Sequence, residues 1–167
     1  PGRMSEYGSG KDVLSDADHA YIQFLKRDVK PRIDRTYRTL QDATNTALIG
    51  SSMGGVISFQ AALLNPDIFG QAACLSPAFG FGEGTDRGYA ELVRKVGKVS
   101  VRLYLDSGTA GQWQDGAPQT RAMAALLREA GWKDGADLLH FEDTGADHNE
   151  RAWRARLDRP LVFLFGR

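Results

Sequence analysis

Apolar positions along the chain fall into short runs set apart by polar and glycine-rich stretches, and the runs are of two kinds. Residues 46–49, 72–75, 101–105 and 138–141 are brief and almost continuously apolar, as strands buried on both faces of a parallel sheet should be. The runs that alternate with them are longer and helical in spacing. Val56, Ile57, Phe59, Ala61, Ala62, Leu63 and Leu64 predict a buried helix that Asn65-Pro66 ends. A second helix is predicted around residues 89–96, after a loop marked by Gly80, Gly82, Gly84 and Gly88. Pro118 opens a third that Gly131 closes, the expected proline-first, glycine-last asymmetry.

The two ends of the chain follow the same logic. Residues 1–14 read as loop, and Ser15-Asp16-Ala17-Asp18 resembles a helix N-cap with acidic residues in the first turn. Ile22, Leu25 and Val29 then predict an amphipathic helix over 16–29, stopped or redirected by Pro31. A polar connector spans 37–44. A final helix beginning near Asn149 should carry Trp153, Leu157, Leu161 and Phe165 towards the core and bend at Pro160. Strand and helix in alternation predict an α/β fold: one domain over 1–167, a parallel sheet with helices on both faces.

Composition narrows the function classes. The chain carries 21 basic and 21 acidic residues, so no basic stripe argues for nucleic acid and no polybasic run for a membrane surface. Its apolar runs are too short for a bilayer span. Cys74 is the sole cysteine, which excludes an intrachain disulfide and a cysteine zinc site. The three histidines are far apart and form no H-E-x-x-H or H-x-H, so neither metal nor cofactor is expected.

Residues 48–55, Leu-Ile-Gly-Ser-Ser-Met-Gly-Gly, contain G-x-S-x-G centred on Ser52, between a predicted strand and a predicted helix. In that context the turn is a nucleophile elbow, which exposes the hydroxyl and aims the N–H of Met53 at a developing oxyanion. The rival reading is a glycine–serine turn that binds phosphate or only reverses the chain. Neither G-K-[ST] nor G-x-G-x-x-G occurs here. A serine nucleophile needs a base. His19, inside the first predicted helix, reads as a solvated position, and His140 as a partly buried strand residue. His148 lies after the last strand, where the order serine, acid, histidine puts the base. The acid belongs in the loop 106–116, which offers two carboxylates. Asp106 can stabilise the turn at the strand end, and Asp115 can cap the helix opened by Pro118 or orient His148; Asp115 is favoured.

With these residues in view, the chain resembles the esterase group of α/β-hydrolases that includes esterase D, enterochelin esterase-like and feruloyl esterase proteins, akin to the mycolyltransferases. The matching segments are Arg3-Met4-Ser5-Glu6-Tyr7, residues 48–55, Leu103-Tyr104-Leu105-Asp106-Ser107-Gly108 and His148-Asn149-Glu150-Arg151-Ala152-Trp153. The resemblance implies Ser52 as nucleophile, His148 as base and Met53 as an oxyanion amide, with Arg3 and Tyr7 of the first matching segment as candidate substrate contacts; Trp113 is a further candidate as an aromatic of the loop 106–116, where the alternative is a core role. It carries the acid over less cleanly, because the position that relatives often use is Gly111; Asp115 supplies it, or a Ser-His dyad acts alone. It implies a small-molecule ester as substrate and hydrolysis through an acyl-enzyme. Acyl transfer and an inactive binding module are the alternatives. It also implies that several strands precede the elbow strand in the whole fold, so that the chain corresponds to the C-terminal part of a longer hydrolase. Without those strands, residues 46–49 would form an apolar sheet edge open to self-association.

Overall fold

Four parallel strands, β1 (Ala47–Ser51), β2 (Gln71–Leu75), β3 (Arg102–Gly108) and β4 (Leu138–Asp143), lie side by side in sequence order. The structure is a computed structural model that describes residues 19–80 and 85–166. Each predicted strand is present, and β3 and β4 each run further towards their C-termini than the apolar pattern suggested. The register pairs Ser51 with Leu75, Leu75 with Asp106 and Asp106 with Phe141, so the strands end at one edge of the sheet, with β3 and β4 reaching two residues beyond β1 and β2. In an open parallel sheet those ends are where ligands bind.

Every residue of β2 is buried, and its small side chains Ala72, Ala73 and Cys74 let helices approach from both faces. Helices α3 (Met53–Leu64), α4 (Thr85–Val96) and α5 (Ala117–Glu129) cover one face, over Ala72, Cys74, Leu103, Leu105 and Leu138. Phe59, Phe79 and Tyr89 interlock edge to face there, with ring centroids 5.1 Å apart for the first two and 5.5 Å for the last two. On the other face Ala73, Leu75 and Tyr104 pack against Phe163 and Leu164 of α7 (Asp158–Phe165). The sheet is therefore covered on both faces, as its continuous apolar strands require. β1 borders the described sheet, and its Ile49 is 42% exposed.

Two helix expectations are corrected. The first helix does not stop at Pro31. It runs as α1 (Ala20–Phe24), a wide π-helical turn (Leu25–Val29) and α2 (Lys30–Thr36). The helical run continues through the wide turn, in which Lys30 N–H reaches back to the Leu25 carbonyl, and this widening accommodates Pro31 at the start of α2. The expected cap at Ser15–Asp18 lies outside the described residues. At the other end the final helix is two helices, α6 (Glu150–Ala155) and α7, parted at Arg156 and Leu157. The break precedes Pro160 and shifts the helical phase. Pro160, Phe163 and Leu164 face inward, while Leu157, Leu161 and Phe165 stay 38%, 42% and 49% exposed.

The approach of α3 to β1 sets a testable limit. A Cβ on Gly50 would overlap the carbonyl oxygen of Gly54, whereas one on Gly54 meets nothing within 4 Å among the described residues. Gly50→Ala should destabilise the fold by about 1–3 kcal/mol. Gly54→Ala, in a helix, should be neutral or gain up to about 1 kcal/mol. Urea midpoints at constant m-value distinguish the two.

Candidate functional site

At the end of β1 the chain reverses sharply through Ser52, whose φ of 54° and ψ of −120° are costly for a residue with a side chain. The turn is held from several directions. Ser52 N–H donates to the Leu75 carbonyl at 2.9 Å, and its own carbonyl accepts from the N–H groups of Gly55, Val56 and Ala78 at 3.0, 3.3 and 3.2 Å. Pro77 sits so close to Gly55 that a Cβ there would lie 3.2 Å from it. Met53 is the first residue of α3 and precedes the first N–H that bonds within the helix turn. Its amide is thus one of the helix's orphan donors, in the positive field of a twelve-residue helix.

His148 lies in the loop between β4 and α6, where its N–H donates to Asp147 Oδ1 at 2.8 Å and Asn149 Oδ1 caps Ala152 N–H at 3.0 Å. The Trp153 indole meets the imidazole edge-on, with centroids 5.0 Å apart. These contacts aim the ring at two partners. Nε2 is 2.9 Å from Ser52 Oγ, and Nδ1 is 2.5 Å from Asp115 Oδ1. Asp115 stands in the turn Gln114–Gly116 ahead of α5, with φ of 48° following φ of 47° at Gln114. Its side chain is fully buried. Oδ2 accepts from Gly108 N–H and from the Ser76 hydroxyl, each at 2.5 Å. Burial alone would raise the Asp115 carboxyl, but the hydrogen bonds from His148, Ser76 and Gly108 outweigh it and hold the group below its ordinary value.

Asp106, the other carboxylate of that loop, is elsewhere engaged. Its Oδ1 accepts from Ser76 N–H and from Arg156 Nη2, both at 3.0 Å, and its Oδ2 accepts from the Tyr104 hydroxyl at 3.0 Å. Arg156 is 2% exposed, Asp106 fully buried, and the two form an ion pair under the site. Gly108 is required there, since a Cβ would overlap the Ala146 carbonyl in the loop that carries His148.

The structure thus joins Ser52, His148 and Asp115 in one hydrogen-bonded chain. Trp113, on the same loop as Asp115, is 79% exposed, and Arg3 and Tyr7 lie outside the described residues. His19 precedes α1 and is half-buried, not solvated, whereas His140 is partly buried on β4 as expected. Ser76, Arg156 and the Trp153 indole N–H were not anticipated. Among the described residues no three His, Cys, Asp or Glu side chains converge as a metal site. A cleft of about 590 Å³ opens between α4 and α5, lined by Phe79, Glu91, Arg94, Gln119 and Met123 among others; none of the three joined residues borders it.

The model of the protein family described as "Putative esterase" matches residues 14–164. The uncharacterized protein YbbA of Bacillus subtilis (strain 168) is 23% identical over 99% of this chain and 64% of its own length. Among solved structures, the enterochelin esterase of Shigella flexneri superposes with a TM-score of 0.75 at 19% identity, over 98% of this chain and 39% of that one. The S-formylglutathione hydrolase of Staphylococcus aureus gives 0.67 at 16%, over 87% of this chain and 61% of that one. The chain spans under two thirds of each of these proteins. These structural likenesses establish the α/β fold seen here.

His140 sets a pH dependence of stability. Burial lowers its pKa, with Arg128 and Arg121 adding to the effect and Glu142 opposing it. The unfolded chain therefore binds this proton more readily than the native one. Stability should be complete above about pH 6.5 and fall as pH drops through that value towards the lowered native pKa. Urea unfolding at pH 7.5 and 5.5 checks this, and His140→Gln should flatten the change.

Proposed function

Because the chain belongs to the "Putative esterase" family, we propose that it is a carboxylic-ester hydrolase that works through an acyl-enzyme on Ser52. The observation that carries the reading is the hydrogen-bonded chain from Ser52 Oγ through His148 to Asp115. Nε2 of His148 takes the Oγ proton as Oγ bonds to the ester carbonyl carbon. The oxyanion of the tetrahedral intermediate forms against the Met53 N–H at the start of α3. The intermediate collapses to the acyl-enzyme, and the leaving alkoxide departs with the proton from Nε2. Water then repeats the sequence and releases the acid. Asp115 stays ionised throughout; it holds the tautomer with the proton on Nδ1 and stabilises the imidazolium.

The substrate class is a small-molecule ester. Trp113 offers the exposed aromatic surface beside the site, and Arg3 and Tyr7 keep the substrate-contact role that the resemblance implies. Acyl transfer would use the same atoms with an alcohol in place of water.

Ser52→Ala should abolish both p-nitrophenyl acetate turnover and fluorophosphonate labelling without changing the unfolding midpoint; retained labelling would refute the assignment. The two carboxylates should separate cleanly. Asp115→Asn should lower kcat by about 10⁴-fold if it orients the base. Asp106→Asn should instead cost about 1–3 kcal/mol of stability, because it removes the nearest of the three carboxylates around the buried Arg156. Steady-state rates and urea midpoints on both variants decide the matter.

A further inference from the structure

Ser76 Oγ receives two hydrogen bonds, from Trp153 Nε1–H at 2.9 Å and from Arg156 Nη2–H at 2.7 Å. Indole and guanidinium nitrogens only donate, so these two groups occupy both lone pairs of the hydroxyl. The one proton that Ser76 has to give is left for Asp115 Oδ2, 2.5 Å away. With Gly108 N–H on the same oxygen, Oδ2 is filled and Oδ1 is the oxygen that faces His148. Ser76 is 1% exposed, so bulk water does not compete for these bonds. Its backbone is also held in an unfavourable conformation, φ 41°, with its N–H shared between the carbonyl and Oδ1 of Asp106.

Resting on the serine-hydrolase reading above, we propose that Ser76 is a positioning residue for the catalytic acid. Its hydroxyl, saturated by Trp153 and Arg156, selects the Asp115 oxygen that meets the imidazole and draws off part of the carboxylate's charge. Removing the hydroxyl would concentrate charge on Asp115 and strengthen its hold on an imidazolium. The charges around the base come from every neighbouring element. Asp106 and Tyr104 lie on β3, Asp115 in the loop before α5, Asp143 at the end of β4 and Asp147 beside the histidine itself. Arg156, between α6 and α7, is the counter-charge, 3.0 Å from Asp106, 3.6 Å from Asp115 and 3.8 Å from Asp143. Arg159 of α7 stacks on Phe141 of β4, with its guanidinium carbon 3.9 Å from the ring centroid.

Ser76→Gly isolates the hydroxyl, because glycine accepts a φ of 41° without strain. In the intact protein this variant should keep KM and lose about 10–100-fold in kcat. The acidic limb of its kcat/KM profile should move to higher pH by about one unit. Trp153→Phe preserves a ring against His148 and removes one donor to Ser76; it should shift the limb the same way by less, and it serves if Ser76→Gly does not fold. Ser52→Ala is measured alongside. Turnover surviving in Ser52→Ala would remove the hydrolase reading itself. An inactive Ser52→Ala with an unchanged kcat or limb in the Ser76 variant would overturn only the positioning role. A limb displaced to lower pH would also overturn it, since that is the signature of an imidazole that has simply lost Asp115.

Discussion

A carboxylate enclosed without contact with water must be matched by hydrogen bonds or it forces its surroundings apart or takes up a proton. Asp115 is such a group, and its donors come from three different places in the fold: Ser76 after β2, Gly108 at the end of β3 and His148 after β4. Meeting that requirement ties three strand ends to one point. It also explains the tolerance of tight packing there, such as the glycine at 108 that lies against the carbonyl of Ala146. The parallel register makes the arrangement feasible, because Leu75, Asp106 and Phe141 pair across the sheet and the loops that follow all leave from the same edge.

The non-glycine residues with positive φ among the described residues are Ser52, Ser76, Gln114 and Asp115. Three of them contribute side chains to the hydrogen-bonded cluster and the fourth adjoins Asp115. Each conformation costs on the order of 1–3 kcal/mol and persists only where neighbouring bonds over-determine it. The concentration of strain at one end of the sheet is the backbone's counterpart of the buried charges. Below it lies an apolar core of unstrained strands and helices that holds the ends in place.

Much of this was legible from the chain itself. Continuous apolar runs located the strands because both faces of a parallel sheet are covered, and G-x-S-x-G marked Ser52 because the turn needs glycine at 50, where α3 crosses closely. The choice between Asp106 and Asp115 was not decidable locally. It depends on Arg156, 50 residues further on, which claims Asp106 and leaves Asp115 to the histidine. The inward face of α7 was misread for a related reason. Arg156 turns into the polar cluster, the helix breaks beside it, and the periodicity counted from Trp153 no longer applies. Pro31 misled because a widened turn two residues earlier absorbs its effect.

The contacts that complete the cluster are far apart along the chain: Ser52 and His148 are separated by 96 residues, and Ser76 and Arg156 by 80. Ser52 therefore leaves the ribosome 96 residues ahead of the imidazole that it bonds to. The Ser76 hydroxyl is directed later still, once α6 docks and brings Trp153 and Arg156 beside it. On the hydrolase reading proposed above, the serine is an unactivated alcohol until those residues are in place. That reading makes reactivity wait for contacts between distant parts of the chain, which spares a half-made protein from reacting with whatever acyl compound it meets.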